Sequence, residues 1–335
     1  MALHPRDVLH DVAGGHVVMP VCDHYCGSRP LIEKSLALQD RLGPVFDVTG
    51  DCEDGAAVGA EPEHAAMIAA AIASPANRFD QFGARPHDPQ HPAFENDLQT
   101  LIGGAGRRIA YLTIPKVESA ADLDAADLLC RNIEARHGIS RRIPFQVLIE
   151  SPRALRDVGA IAAHPRVEAV AFGLMDYVSS FGGAIGAEAM HSPGQFEHPL
   201  VARALVEIAL ACHAHGKVAT HGVTLAIGDG AAAGADARRA AAEFGFLRKW
   251  SIHPKQIEPI VAAFRPDTAR IGEAAEILIA AQQADWGPIR YRDQLHDRAS
   301  YRYWWLVLER ARLTGAGMPA AAAAFFKTDD TGASR

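Results

Sequence analysis

The sequence predicts a closed barrel of eight parallel strands wrapped by helices, a (β/α)8 TIM barrel of the α/β class, followed by a helical C-terminal extension. Three observations predict it. Eight short apolar stretches recur along the 335-residue chain, most are separated by Ala/Leu-rich helical stretches, and most end in a charged or polar side chain. Strand alternating with helix implies a parallel sheet, and eight strands imply closure. A polar residue just past a buried strand is where such a barrel keeps its chemistry, because the loops at the strand C-termini build the active site.

The strands are expected at 16–22 (HVVMPVC), 45–51 (VFDVTGD), 80–85 (DQFGAR), 109–115 (IAYLTIP), 144–150 (PFQVLIE), 167–173 (VEAVAFG), 217–222 (KVATHG) and 248–253 (RKWSIH). Most are rich in β-branched or aromatic residues and apolar on both faces, as buried parallel strands are. The third is the least regular, since Gly83 interrupts it. Helices are expected at 60–73, 119–136, 152–163, 198–215 and 232–243. After the eighth strand come about 80 residues without an evident strand, with helices at 270–285, 299–313 and 317–326. The barrel is therefore placed at 1–266 and the extension at 267–335, with the polar end from Thr328 frayed.

Composition narrows the function. Apolar residues make up 49% and charged residues 22%, which suits a globular protein with a sizeable core. A net charge of −7 and no basic block argue against nucleic-acid or membrane-surface partners. The five cysteines are odd in number, and only Cys22 and Cys26 are close, so no zinc-site spacing is completed. No apolar run is long enough to span a membrane, and the start has no leader-like apolar region. The reading is a reduced, cytoplasmic protein.

Glu150 follows Val147-Leu148-Ile149, and Asp176 lies just past Ala171-Phe172-Gly173. Either alone is explained as a cap for the next helix, Ser151-Pro152 being a helix start. Two on consecutive strand ends point to a metal site, and hard oxygen ligands in that number suit Mg²⁺. Asp51, Glu53 and Asp54 are three acids in four residues. They repel unless a cation is near, and they either support a metal's waters or form a solvated loop. Arg85 ends the third strand, placed to grip a substrate carboxylate or to pair with those acids. Lys116 and Glu118 follow the fourth strand as an internal ion pair, with Lys116 as a Schiff-base lysine the weaker reading. His221 ends the seventh strand; His253, ending the eighth before Pro254, is placed with Lys116 to meet substrate. No phosphate-binding glycine loop is present.

The chain resembles the citrate lyase β-subunit-like, or malyl-CoA lyase-like, family of the HpcH/HpaI aldolase superfamily over roughly 20–266. The resemblance rests on Gly27-Ser28-Arg29-Pro30, Asp51-Cys52-Glu53-Asp54, Arg85, Pro115-Lys116-Val117-Glu118, Leu148-Ile149-Glu150-Ser151-Pro152, Phe172-Gly173-Leu174-Met175-Asp176 and Ile252-His253-Pro254-Lys255-Gln256. It implies a TIM barrel, Mg²⁺ held by Glu150 and Asp176, and Arg85 on a keto-acid carboxylate. It also implies homotrimers or homohexamers and a lid from the C-terminal extension. An acid near the lid serves as acid/base group there, and Asp297 is the nearest candidate, with Asp293 an alternative. The chain departs from the family's Asp-Leu-Glu-Asp-Ala at Cys52 and Gly55, from Arg-Ile-Asn at Pro86 and His87, and from an Asp at His221.

The expected activity is a Mg²⁺-dependent carbon–carbon lyase acting on a 3-hydroxyacyl-CoA such as malyl-CoA or citramalyl-CoA and releasing a 2-oxo acid. Arg85, Glu53, Asp54 and Asp297 carry the chemistry, with Arg85, Lys116 and His253 on substrate. A class II pyruvate aldolase acting on free hydroxy-keto acids is the second reading; such relatives carry a His where this chain has Asp54, leaving His24 or His87 to serve. A non-catalytic acyl-CoA-binding subunit of a lyase complex is the third.

Overall fold

The computed structural model describes residues 3–9, 17–56 and 58–327. It divides into two compact units, residues 17–263 and residues 1–16 with 264–335. Residue 16, the start of the expected first strand, and the tail from Thr328 lie outside the described residues.

The first unit is a closed barrel of eight parallel strands in sequential order. These are β1 Cys22–Cys26, β2 Asp47–Asp51, β3 Phe82–Arg85, β4 Ile109–Ile114, β5 Phe145–Ile149, β6 Val167–Phe172, β7 Val218–His221 and β8 Arg248–Ser251. β1 closes the barrel on β8, with Cys22 opposite Lys249 and His24 opposite Ser251. Helices Glu61–Ala73, Ala120–Arg136, Pro199–Ala214 and Gly230–Phe244 fall where expected, and 152–163 divides into Pro152–Arg156 and Val158–Ala163.

The first strand is a correction. The β-branched run 16–22 reads as strand, yet the sheet uses the next stretch, CDHYC. Its Asp23 is fully buried, and the barrel interior supplies its partners: Thr49 Oγ1 at 2.7 Å, Tyr111 Oη at 2.9 Å, Gln146 Nε2 at 2.8 Å and Arg248 Nη2 at 3.0 Å. A charge inside a barrel is admitted when it is paired and hydrogen-bonded. None of those partners is adjacent in sequence, so an apolar-run criterion misses the strand.

Gly83 does not break β3. A Cβ there would lie 2.4 Å from the Tyr111 ring, so the strand needs glycine to let that ring fill the interior.

The second unit packs helices Thr268–Gln283 and Arg298–Leu313 around a core that includes Leu278, Tyr301, Trp305 and Phe325. The short helix Pro5–Leu9 belongs to the same unit, Leu9 being part of that core. The expectation of no strand here is overturned: β9 Ile289–Tyr291 and β10 Gln294–His296 pair as an antiparallel hairpin. The two residues at its turn, Arg292 and Asp293, have φ of 44° and 63°. Such turns usually announce themselves by Asn-Gly or Asp-Gly, and Arg-Asp does not. The last expected helix, 317–326, shortens to Ala320–Ala323 and a 3₁₀ turn Ala324–Phe326.

Replacing Gly83 with Ala is expected to destabilise the chain by about 1–3 kcal/mol through overpacking against Tyr111. Urea unfolding of the variant measures it, and an unchanged midpoint would refute the close-approach account of β3.

Candidate active site

The strand ends converge charge. Asp51 and Arg85, the last residues of β2 and β3, are register partners. The Arg85 guanidinium grips Asp51 with two bonds, Nε to Oδ1 at 2.7 Å and Nη2 to Oδ2 at 2.6 Å. The same carboxylate accepts the Glu53 and Gly55 N–H groups at 3.0 and 2.9 Å, which folds the acidic loop back over the strand end. Arg85 Nη1 lies 2.8 Å from Glu53 and 3.7 Å from Asp54. Lys116 Nζ reaches Glu53 from the loop after β4 at 2.6 Å. The cations that three neighbouring acids require are therefore Arg85 and Lys116. Asp54 is the loosely held member, its side chain 58% exposed against 6% for Glu53.

These contacts bear on two open readings. Arg85 pairs with the acidic loop. Lys116 and Glu118 are not an ion pair: Lys116 pairs with Glu53, and Glu118 Oε2 accepts the Ser151 hydroxyl at 2.8 Å. Burial works against the Lys116 charge, but Glu53 more than offsets it and raises the ammonium pKa, which leaves no neutral amine for a Schiff base.

Beneath Arg85 the guanidinium carbon lies 5.4 Å from the Tyr25 ring and 5.6 Å from the Trp250 ring, with the two rings 4.1 Å apart. This aromatic floor was missed from sequence. Its signal was the two-residue alternation that puts Tyr25 on the face of Asp23 and Trp250 on the face of Arg248.

Glu150 directly follows β5 and is buried. Its Oε2 accepts the Lys116 backbone N–H at 2.7 Å. Burial pushes its pKa up to about 8, with Glu53 and Asp176 reinforcing and the Lys116 N–H and Arg85 opposing. A Cβ on Gly173 would lie 2.5 Å from its Oε1, so glycine at the end of β6 keeps room for this carboxylate. Asp176 lies in the first turn of helix Leu174–Ser179 and makes no side-chain cap there. Ser151 caps helix Pro152–Arg156 by accepting the Ala154 N–H at 3.0 Å. Capping therefore explains neither carboxylate.

The fit to a metal follows from this donor set. Among the described residues no group of three or more His, Cys, Asp or Glu gathers as a metal cluster. What the strand ends offer is one buried carboxylate held by a single backbone N–H and a second, Asp176, near enough to disfavour its ionisation. Two hard oxygen donors with remaining positions for water and substrate suit Mg²⁺ and not a softer, fully liganded ion.

Each histidine singled out along the chain has a partner of its own. His221 is buried with Nδ1 3.1 Å from Lys249 Nζ; burial, then the lysine, pushes its pKa down. His24 Nδ1 is 3.0 Å from Ser251 Oγ, and burial lowers its pKa to about 4. His87 Nδ1 is 2.6 Å from the buried Asp97. His253 Nδ1 accepts the Lys255 N–H at 3.2 Å. In the second unit, Asp297 caps helix Arg298–Leu313, accepting the Ala299 N–H at 2.9 Å.

Residues 47–254 match the HpcH/HpaI aldolase/citrate lyase family. The chain belongs to that family. An L-malyl-CoA/beta-methylmalyl-CoA lyase of Rhodobacter capsulatus is 31% identical over 299 residues, covering 86% of this chain and 92% of the relative. A crystal structure of a citrate lyase from Burkholderia xenovorans LB400 is 50% identical, with a TM-score of 0.83 over 97% of this chain and all (100%) of the other. CitE of Mycobacterium tuberculosis, solved with magnesium, acetoacetate and coenzyme A, is 22% identical with a TM-score of 0.65 over 88% of this chain and 99% of that one. The last is a likeness of fold. The family match runs from the first residue of β2 to Pro254, so it includes every charged residue of the mouth named above.

Glu150 holds its proton more tightly in the folded chain than its ordinary value of 4.5. The stability it contributes is complete below that pH and is lost as pH rises through about 8. A cation on Glu150 must displace that proton, so apparent Mg²⁺ affinity is expected to fall by up to about tenfold per pH unit below the pKa. Melting curves should show a larger Mg²⁺-dependent rise at about pH 8.5 than at about pH 6.5; equal rises at both would count against Glu150 as a ligand.

Proposed function

We propose that the protein is a Mg²⁺-dependent carbon–carbon lyase that cleaves a 3-hydroxyacyl-CoA of the malyl-CoA or citramalyl-CoA type to an acyl-CoA and a 2-oxo acid, or runs the reverse condensation. The observation that carries it is the buried Glu150 beside Asp176, neither spent on a helix cap, on the strand-end face of a family barrel that also presents Arg85. Relatives named for malyl-CoA cleavage support the substrate class.

In the cleavage direction the hydroxyl proton leaves as the carbonyl of the 2-oxo acid forms. The carbon–carbon bonding pair moves to the thioester α-carbon, which then takes a proton. No external oxidant or reductant is needed. Glu150 and Asp176 would hold Mg²⁺, which when bound supplies positive charge against the negative charge gathering on the substrate's oxygens. Arg85 adds a second, fixed charge. Its guanidinium is clamped by Asp51 and rests near Tyr25 and Trp250, so it needs little reorganisation as charge develops. Its place in the reaction is to face the substrate carboxylate with the N–H edges left by Asp51 and Glu53. Lys116 holds Glu53 in place, and Asp54 and His253 border the mouth as polar groups toward substrate.

Asp297 is proposed as the acid/base group that returns the proton to the α-carbon. Asn caps helices about as well as Asp. Asp297→Asn is thus expected to leave the melting temperature within a degree or two while lowering kcat by about a hundredfold or more. A variant as active as the wild type would remove Asp297 from the chemistry. We also propose assembly as a homotrimer or homohexamer, which light scattering reads.

The deciding assay traps released glyoxylate or pyruvate as hydrazones from malyl-CoA, methylmalyl-CoA, citramalyl-CoA and free hydroxy-keto acids, with Mg²⁺ or EDTA. Release from thioesters only, dependent on Mg²⁺ and abolished in Glu150→Ala, is the expected result. Release from free acids only would move the chain to the pyruvate aldolases, a reading that the committed states of His24 and His87 disfavour. Mg²⁺ binding with no release from any substrate would favour a binding subunit.

A further inference from the structure

Lys116 has a φ of 51°, inside the left-handed region. Among the described non-glycine residues of the barrel unit only Asp80 shares it, with φ 52°. Aspartate tolerates this conformation through its short polar side chain, whereas lysine has no such local compensation. A strained backbone residue persists where its surroundings over-determine it, and such residues gather at functional sites. The strand before it ends in the fully buried Ile114, and Val117 after it is buried at 1% exposure, so both flanks are anchored in the core. From that fixed place the Lys116 N–H meets Glu150 Oε2 at 2.7 Å, and Nζ meets Glu53 Oε1 at 2.6 Å.

Glycine would take this φ without strain. Lysine accepts the strain and does two things at once. Its main chain holds one carboxylate and its side chain holds another, from two different strand ends.

We infer that Lys116 is a positioning residue for the cation site, whose left-handed backbone turns its N–H onto Glu150 Oε2 and so presents the Oε1 edge of that carboxylate to the ion. The inference rests on the Mg²⁺ reading of Glu150 and Asp176 and deepens it. Glu150 has no other hydrogen bond among the described residues, so the direction of its carboxylate is set by this N–H and by the space that Gly173 leaves. The Nζ–Glu53 contact is a second hold on the same residue, beside its buried flanks. Partners of this kind, which orient a metal ligand without touching the metal, commonly change affinity by about 10–100-fold when lost.

The test separates backbone from charge by comparing variants that all lack the ammonium. Lys116→Gly and Lys116→Asn accept left-handed φ; Lys116→Ala resists it, and Lys116→Val, being β-branched, resists it most. Isothermal titration with Mg²⁺ alone, at one pH and ionic strength, is expected to give the Gly and Asn variants affinities within about threefold of each other. Ala should be weaker than Gly by about threefold or more, and Val by about 10–100-fold. Melting curves without Mg²⁺ establish that each variant is folded. If Val does not fold, the Gly–Ala comparison carries the same test at equal charge. A wild-type chain that binds Mg²⁺ while the Gly, Ala and Val variants bind it alike overturns the role of Lys116 and leaves the cation site standing. A wild type that takes up no Mg²⁺ overturns both.

Discussion

The barrel depends on a buried charge triad at its centre. Arg248 of β8 lies 3.0 Å from Asp23 of β1 and also pairs with Asp47 of β2, all three fully buried. Those strands flank the seam where the barrel closes. A charge in that interior is tolerated only with its partner present, and removing one member of such a group costs about 3–5 kcal/mol because the others are left uncompensated. Only the register that brings β8 beside β1 satisfies all three. The interior is polar around this triad, with Thr49, Tyr111 and Gln146 completing the hydrogen bonds of Asp23. An apolar lumen would have tolerated slippage that this one does not.

The chemistry is built on top of that plug. One step up each strand from Asp23 and Arg248 stand Tyr25 and Trp250, and above them Arg85. Five carboxylates crowd the strand ends: Asp51, Glu53, Asp54, Glu150 and Asp176. Arg85 and Lys116 are the cations that pair with this group. That excess of negative charge reinforces the burial that makes Glu150 resist ionisation. It also explains why a divalent cation suits the mouth, and why a substrate carboxylate would be met there only in company with one.

Much of this was legible along the chain. Seven strands and the main barrel helices announce themselves because a strand buried on both faces must be apolar and a helix must alternate with it. The strand-end carboxylates were legible for the same reason, since a charge directly after such a run has few structural excuses. β1 was not legible, because CDHYC is polar and its justification lies in residues from β2, β4, β5 and β8. The β9–β10 hairpin was hidden by a turn of unusual composition. The ion pair expected between Lys116 and Glu118 failed because proximity in sequence did not survive the left-handed turn at Lys116.

By itself the sequence determined the fold class, the polar face and the residue types from which a cation site can be made. Periodicity and the order of side chains carry that information directly. Only the tertiary structure decided which charges meet. Arg85 belongs with Asp51, Lys116 with Glu53, and Ser151 rather than Glu150 caps its helix. Those choices depend on the register between strands that are distant in sequence and on one backbone dihedral, and neither is written in the spacing of residues along a chain.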